Sequence, residues 1–246
     1  AQPMHLFSSV YDLLLRDPVD PLSRFYATLA DAPASPAEAF PDFKRFCGEH
    51  RGEILERLEH RTVQSTYVER CRVLLPALSV VADEAGEPLN LVEIGTSAGV
   101  LLTVDKYAYD LGPAGRFGRS APLTLKGDLH GAPKLHIPKI AARIGLDLHP
   151  LDVRSEEQRR WVLALIFPEF REQQERMAKA LDVVAATDIR LMKGDALDLL
   201  PGVLAETLAP VCVFHSTTLM YWSPDAKAAL DNLLKTASRG RDIWRV

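Results

Sequence analysis

The sequence predicts an α/β protein in which a parallel sheet is covered by helices and preceded by a helical extension. From residue 89 onward, short apolar runs alternate with segments of helical periodicity, as in strands joined by crossover helices. Before residue 89, apolar residues recur at helical spacing and no strand stands out. A turn with two glycines, Gly95-Thr96-Ser97-Ala98-Gly99, follows the first strand and is typical of a nucleotide-binding strand-turn-helix.

Two regions are expected: a helical N-terminal cap over residues 1–88 and a sheet domain over residues 89–246. Within the cap, helical segments are predicted at residues 4–30, 37–60 and 64–85. The last of these is expected to kink or break at Pro76, because proline lacks the backbone N–H and clashes with the preceding turn.

The sheet domain is predicted to contain five strands, at Leu89–Ile94, Ala141–Leu148, Ile189–Met192, Val211–His215 and Asp242–Val246. Helices are predicted at Gly99–Tyr109, 155–166, 169–184 and Pro224–Ala237. Residues 110–140 interrupt the alternation as an insertion, in which Leu123–Lys126 and Leu135–Ile137 have the character of paired short strands. The insertion therefore separates the first two strands of the sheet.

The turn after the first strand is compatible with two chemistries. Glu93 ends the strand, where methyltransferases that use S-adenosylmethionine (SAM) keep an acid, while Gly95 and Gly99 allow a sharp turn and a close approach. The same residues match Gly-x-Ser-x-Gly, the nucleophile elbow of α/β-hydrolases, with Ser97 as the nucleophile. A hydrolase needs strands before its elbow and residues 1–88 predict none, which favours the methyltransferase interpretation. A purely structural turn is the third alternative.

Two further acids follow predicted strands. Asp147 ends the second strand, where Rossmann-like methyltransferases bind the ribose hydroxyls, and Asp195 follows the third, where they contact the adenine amino group. Because ligands of open α/β sheets lie at the carboxyl ends of the strands, Glu93, Asp147 and Asp195 are expected along one edge. The alternative is that these acids cap helices, and Asp195 is well placed to do so.

Three more residues are candidates for binding or chemistry. His215 ends the fourth strand and is the candidate general base, since imidazole accepts a proton near neutral pH; the alternative is a structural histidine. Tyr221 is expected to face the methyl acceptor, unless it packs in the core. Arg70 precedes the first strand and is the candidate partner of the methionine carboxylate, the alternative being a surface salt bridge.

Composition argues against several classes of protein. The chain has 29 Lys+Arg against 33 Asp+Glu, a formal charge of −4, so a dedicated nucleic-acid binder is not indicated. Its three cysteines form no C-x-x-C pair, which argues against disulfides or a zinc site and suits the cytoplasm. The sequence has no uninterrupted run of about 18 apolar residues, so no membrane span is predicted. The spacings of the histidines predict no metal site.

Several motifs together resemble one bacterial family. They are Glu93-Ile94-Gly95-x-Ser97-Ala98-Gly99, Asp105-x-Tyr107-x-Tyr109, Gly145-x-Asp147-Leu148-x-Pro150-Leu151-Asp152, Gly194-Asp195-Ala196 and Phe214-His215-Ser216. The family is DUF2332, a domain of unknown function, and the resemblance covers about residues 60–245. It implies a Rossmann-like, methyltransferase-type fold with an N-terminal helical extension and SAM as cofactor, but no substrate. Family members tend to run past the end of this chain, so a truncated C-terminus is expected.

The sequence thus predicts a SAM-dependent methyltransferase that acts on a small-molecule acceptor. Glu93, Gly95, Ser97 and Gly99 are expected around the methionine and ribose of the cofactor. Two alternatives remain open. One is a non-catalytic module of the same fold that binds SAM or a nucleotide, and the other is a serine hydrolase that uses Ser97 with His215 and an acid such as Asp195.

Overall fold

The computed structural model describes residues 3–118, 121–131, 134–207 and 210–246. Its helices are α1 (Pro3–Arg16), α2 (Phe40–Glu49), α3 (Arg51–His60), α4 (Cys71–Ala85), α5 (Glu156–Ala164), α6 (Arg171–Ala185), α7 (Ala196–Glu206) and α8 (Pro224–Ala237). Its strands are β1 (Leu89–Ile94), β2 (Ala108–Asp110), β3 (Arg116–Phe117), β4 (Thr124–Lys126), β5 (Ile140–Asp147), β6 (Arg190–Lys193), β7 (Val211–His215) and β8 (Ile243–Arg245). The α/β class is therefore confirmed.

The chain forms two compact units, each assembled from two stretches of sequence. The first comprises Ala1–Ser65 with Val153–Ala178, and the second comprises Thr66–Asp152 with Lys179–Val246. These limits differ from the boundary after residue 88 that the sequence suggests. The difference arises because α4 packs within the second unit, against the segment after β1, while α5 packs against α1 in the first.

The second unit is built on a five-stranded parallel sheet with the strand order β6-β5-β1-β7-β8. All six residues of the central strand β1 are buried, as expected for a strand covered on both faces. Its apolar side chains join a core with residues of β5, β7, α7 and α8, including Ile94, Leu146, Val213 and Leu200. The predicted strands and the helix Pro224–Ala237 are confirmed.

The predicted helix Gly99–Tyr109 is wrong. Val100–Lys106 forms 3-10 turns with a kink at Thr103, and the chain then enters β2. Side chains compete with the helical backbone here, because the Thr103 hydroxyl donates to the Val100 carbonyl (2.8 Å) and the Tyr109 hydroxyl donates to the Val104 carbonyl (2.6 Å). Both hydrogen bonds are buried and hold the segment in its non-helical path.

The insertion forms a small sheet that the sequence predicts only in part. The strand expected at Leu123–Lys126 is confirmed as β4, but its partner is β2 in a parallel pair, and Leu135–Ile137 is not a strand. Strand β3 pairs antiparallel to the other edge of β2. In the described residues, no helix is long and apolar enough to cross a membrane.

The first unit is helical and contains a buried ionic cluster beside its apolar core. The carboxylate of Asp12, on α1, accepts hydrogen bonds from Arg57 of α3 (Nε to Oδ2, 2.8 Å) and from Arg160 of α5 (Nε to Oδ1, 3.0 Å). The side chains of Asp12 and Arg57 are 3% and 6% exposed, so solvent does not screen their charges. One carboxylate thereby ties three helices together.

Asp12→Ala is expected to destabilise the first unit by about 3–5 kcal/mol, because it removes the buried carboxylate shared by Arg57 and Arg160 and leaves Arg57 only the exposed Glu56 as an ionic partner. Urea unfolding followed by tryptophan fluorescence measures this loss. Glu172→Ala, which removes an exposed partner of Arg176 on α6, is the control and is expected to lose less than about 1 kcal/mol. If Asp12→Ala loses no more stability than the control, the buried Asp12 carboxylate does not stabilise the first unit as described.

Candidate functional site

The order of the parallel strands places a candidate site beside β1. From β1 the chain proceeds to β5 and β6 on one side, and then returns to β7 on the other side. The loops that leave the carboxyl ends of β1 and β7 therefore diverge from one point, and open α/β sheets bind ligands in such a crevice. In this protein the crevice is bordered by the loops at 95–99 and 216–218.

Both loops contain backbone strain. Among the described residues, the only non-glycine residues with positive φ are Ser97 (52°) in the loop after β1 and Thr217 (67°) in the loop after β7. Thr217 is a β-branched residue, for which this conformation is especially unfavourable. Strained residues of this kind persist where the surroundings hold them, and they cluster at functional sites.

The two loops touch at Gly95, whose φ is 77°. A Cβ placed on Gly95 would lie 2.6 Å from the Cγ2 of Thr218 and would overlap its hydroxyl, so only glycine fits. A similar close approach occurs on the other side of β1, where a Cβ on Gly145 of β5 would lie 2.5 Å from the Cγ2 of Thr96. The glycine turn predicts the first of these glycines, whereas Gly145 is part of the Gly145-x-Asp147 motif, which does not indicate its contact with Thr96.

Glu93 is the buried acid of the site. Its side chain lies at the end of β1 and accepts a hydrogen bond from the Thr96 hydroxyl to Oε2 (2.8 Å). Burial raises the pKa of Glu93 to about 8, and the charge of Asp147 adds to this, while the Thr96 hydrogen bond and Arg70 oppose it. At neutral pH most Glu93 carboxyls therefore carry a proton, and this group can donate as well as accept a hydrogen bond.

Asp147 joins the loop after β5 to the strained glycine loop. Its Oδ2 accepts from the backbone N–H of Ser97 (2.8 Å), and its Oδ1 accepts from that of His149 (2.8 Å). The backbone N–H of Leu151 in turn donates to the carbonyl of Ser97 (3.0 Å). Asp147 therefore does not cap α5, whose N-cap is Ser155, but helps to hold Ser97 in its left-handed conformation.

Asp195 follows β6 and is confirmed as the N-cap of α7, because its Oδ1 accepts from the backbone N–H of Leu197 (2.8 Å). The backbone N–H of Gly194 donates to the carbonyl of Asp147 (2.9 Å), so the ends of β5 and β6 lie side by side. The structure thus brings Glu93, Asp147 and Asp195 to the carboxyl ends of three adjacent strands. Asp195 is exposed at this edge.

Arg70 reaches the loop after β7. Its Nη1 lies 3.3 Å from the Thr217 hydroxyl and 3.5 Å from that of Ser216, and its guanidinium stands 5.4 Å from the ring of Tyr67. Its charge also acts on Glu93. Neither Ser216 nor Thr217 is predicted from sequence as a site residue, since nothing local indicates that Arg70 approaches them.

His215 and Tyr221 occupy different environments. His215 ends β7, pairs with Ile94 of β1, and is partly buried; burial and the charge of Arg245 lower its pKa. Tyr221 is 82% exposed, whereas the neighbouring Trp222 packs against the core of the second unit. His215 is thus placed beside the glycine loop, and Tyr221 lies at the surface. Within the described residues, no cluster of three or more metal-ligating side chains occurs.

Glu93→Gln is expected to change how the stability of the protein depends on pH. Between the usual glutamate pKa near 4.5 and about 8, the folded protein holds one proton more than the unfolded chain. Its unfolding free energy therefore falls as pH rises through this window, by up to about 1.4 kcal/mol per pH unit. The glutamine variant does not suffer this loss, so its advantage over the native protein grows toward pH 8.

Chemical unfolding at several pH values between 5 and 9 measures this difference for the native protein and the variant. Glu206→Gln, which removes an exposed carboxylate paired with Arg190, is the control for a general effect of charge. If the unfolding free energies of the native protein and Glu93→Gln depend on pH in the same way, Glu93 is not protonated in the folded protein.

A comparison with known proteins identifies the family of the chain. No curated protein matches the chain. The model of a family described as "Uncharacterized protein conserved in bacteria (DUF2332)" matches residues 1–246. The match includes both units and every residue of the site, and the chain therefore belongs to the DUF2332 family.

Proposed function

We propose that the carboxyl edge of the sheet binds SAM and that the protein transfers its methyl group to a small-molecule acceptor. The observation that carries the proposal is the succession of Glu93, Asp147 and Asp195 at the ends of β1, β5 and β6, beside a strained glycine loop. Carboxyl groups in a row suit a nucleoside, because they accept hydrogen bonds from ribose hydroxyls and from the adenine amino group.

The donors and acceptors along this edge fit the parts of SAM. Asp195 retains one carboxylate oxygen for the adenine amino group while the other caps α7. Asp147 holds the backbone N–H groups of Ser97 and His149 at this edge, and the ribose hydroxyls are proposed to lie beside its carboxyl group. Arg70 supplies a guanidinium for the methionine carboxylate, supported by the hydroxyls of Ser216 and Thr217.

The structure and charge of the carboxyl edge of the sheet favour SAM over a dinucleotide. A pyrophosphate is normally held by the N-terminus of a long helix after the glycine turn. Here the segment after the turn is seven residues of kinked 3-10 structure, Val100–Lys106. Acidic side chains also repel phosphates, and SAM carries a sulfonium and an ammonium group but no phosphate. These features support SAM over a nicotinamide cofactor.

Methyl transfer requires alignment and, for a hydroxyl acceptor, removal of a proton. The acceptor lone pair forms the new bond to the methyl carbon as the carbon–sulfur bond breaks, and the electron pair stays on the sulfur. His215 is the proposed base because its lowered pKa keeps the imidazole neutral at neutral pH, ready to take the acceptor proton. Tyr221 lies at the surface and is proposed to contact only a part of the acceptor that extends outward.

Binding of three ligands to two variants tests the assignment of each part of the site. Arg70→Ala is expected to weaken SAM and S-adenosylhomocysteine about tenfold or more, and to leave 5′-methylthioadenosine unchanged because it lacks the amino-acid end. Asp195→Ser is expected to weaken all three ligands, while serine preserves the helix cap and hence the fold. Calorimetric titration, with thermal unfolding as a check on folding, measures both effects.

Failure of the folded native protein to bind SAM and S-adenosylhomocysteine would refute the proposal. Binding with no methyl transfer to any acceptor in a broad screen would instead favour the non-catalytic module. A cytoplasmic location accompanies the proposal, since Cys47, Cys71 and Cys212 are all free thiols.

One observation favours a second candidate, a serine hydrolase. Ser97 has the positive φ that a nucleophile elbow requires, although its side chain is buried and belongs to the loop held by Asp147. A fluorophosphonate probe distinguishes the candidates: labelling of the native protein that is lost in Ser97→Ala would support the hydrolase. SAM binding without labelling would reject it.

A further inference from the structure

The first unit contains a pocket that is separate in sequence and composition from the proposed cofactor site. Its volume is about 530 Å³, and it lies among α1, the 3-10 turn Pro21–Phe25, the start of α2 and the segment that joins α5 to α6. This volume is within the roughly 300–1,000 Å³ of small-molecule sites. All of the lining residues belong to the first unit.

The walls of the pocket are largely aromatic. The rings of Tyr11 and Tyr26 stack with centroids 5.3 Å apart, and those of Phe7 and Phe43 meet at 5.6 Å. Phe40 lines the pocket as well and is 69% exposed, so apolar surface remains uncovered at the opening. Aromatic side chains bury flat apolar groups against their rings, and the negative charge density of the ring faces attracts cations.

The pocket contains one charged side chain, Glu169. Glu169 lies close enough to Tyr11 and Tyr26 that its negative charge contributes to raising the pKa of both phenols. No arginine, lysine or histidine among the described residues forms an ion pair with Glu169. Arg24, next to the lining residue Phe25 in sequence, is paired with Asp42 (3.0 Å), and neither of the two lines the pocket.

Tyr26 provides a polar group for a ligand. Its hydroxyl has no hydrogen-bond partner in the described part of the chain, whereas the Tyr11 hydroxyl is bonded to Thr28 and accepts from Gln174 (2.5 Å). An aromatic enclosure with a single unpaired carboxylate and an available phenol is complementary to a ligand with an apolar body and one protonated amine.

We propose that this pocket binds a small arylalkylamine, with its ring among the aromatic walls and its ammonium group between Glu169 and the tyrosines. The proposal is independent of SAM binding, because it rests on residues of the first unit alone. The alternative ligands that share the apolar body, a neutral alcohol and a carboxylate, differ only in the group that faces Glu169.

Three probes of matched shape test the pocket: tryptamine, which is cationic at neutral pH, tryptophol, which is neutral, and indole-3-propionate, which is anionic. Calorimetric titration of the whole protein is expected to show that tryptamine binds about five to ten times more tightly than tryptophol and that indole-3-propionate binds most weakly. Glu169→Gln, a change at an exposed position, is expected to abolish the preference for tryptamine while tryptophol still binds.

A second variant tests the location of the site. Ala39 lines the pocket and is partly exposed, so Ala39→Trp is expected to fill the space without unfolding the protein and to prevent binding of all three probes. Circular dichroism and thermal unfolding verify that both variants fold. The proposal is overturned if the native protein binds no probe at millimolar concentration, if tryptamine has no advantage, or if either folded variant binds as the native protein does.

Discussion

The buried carboxyl group of Glu93 is the constraint on which the proposed site depends. A carboxylate at the end of a strand buried on both faces is costly unless it is protonated or compensated by neighbours. Thr96 compensates it with one hydrogen bond, and Arg70 does so through its charge. Thr96 fits beside β5 only because Gly145 has no side chain, so even this one bond requires a specific residue on the next strand.

The same contacts hold the loops around Glu93 in place. Arg70 connects the segment before α4 to Thr217, and Gly95 allows Thr218 to approach the end of β1. Asp147 anchors the backbone of Ser97 from the next strand. Two strained residues, one in each loop, are thus maintained by contacts that come from other elements.

The sequence predicts the sheet and its acids well because both depend on local patterns. Apolar runs mark β1 and β7, and an acid at the end of a parallel strand necessarily lies at the carboxyl edge of the sheet. The contributions of Gly145 and Thr217 are not predictable in this way, because they depend on contacts between residues about 50 or more positions apart.

The segment after the glycine turn shows a different limit of prediction from sequence. Its apolar pattern predicts a helix, but the hydroxyls of Thr103 and Tyr109 bind backbone carbonyls and redirect the chain into β2. Local sequence patterns do not predict the division into two units either, because residues 153–178 pack with helices that lie about a hundred positions earlier in the chain. Periodicity identifies elements, but it does not reveal which side chains replace backbone hydrogen bonds or which distant elements pack together.

The most direct test of the account is the number of protons released when SAM binds, measured by calorimetry at pH 7.5 in buffers of different ionisation enthalpy. In the proposed complex the sulfonium of SAM lies beside the protonated Glu93 and lowers the pKa of its carboxyl, so SAM is expected to release several tenths of a proton. S-adenosylhomocysteine, whose sulfur is neutral, should release markedly fewer, and Glu93→Gln should remove the difference. Equal proton release for the two ligands, or a difference that persists in Glu93→Gln, would contradict a sulfonium site at Glu93.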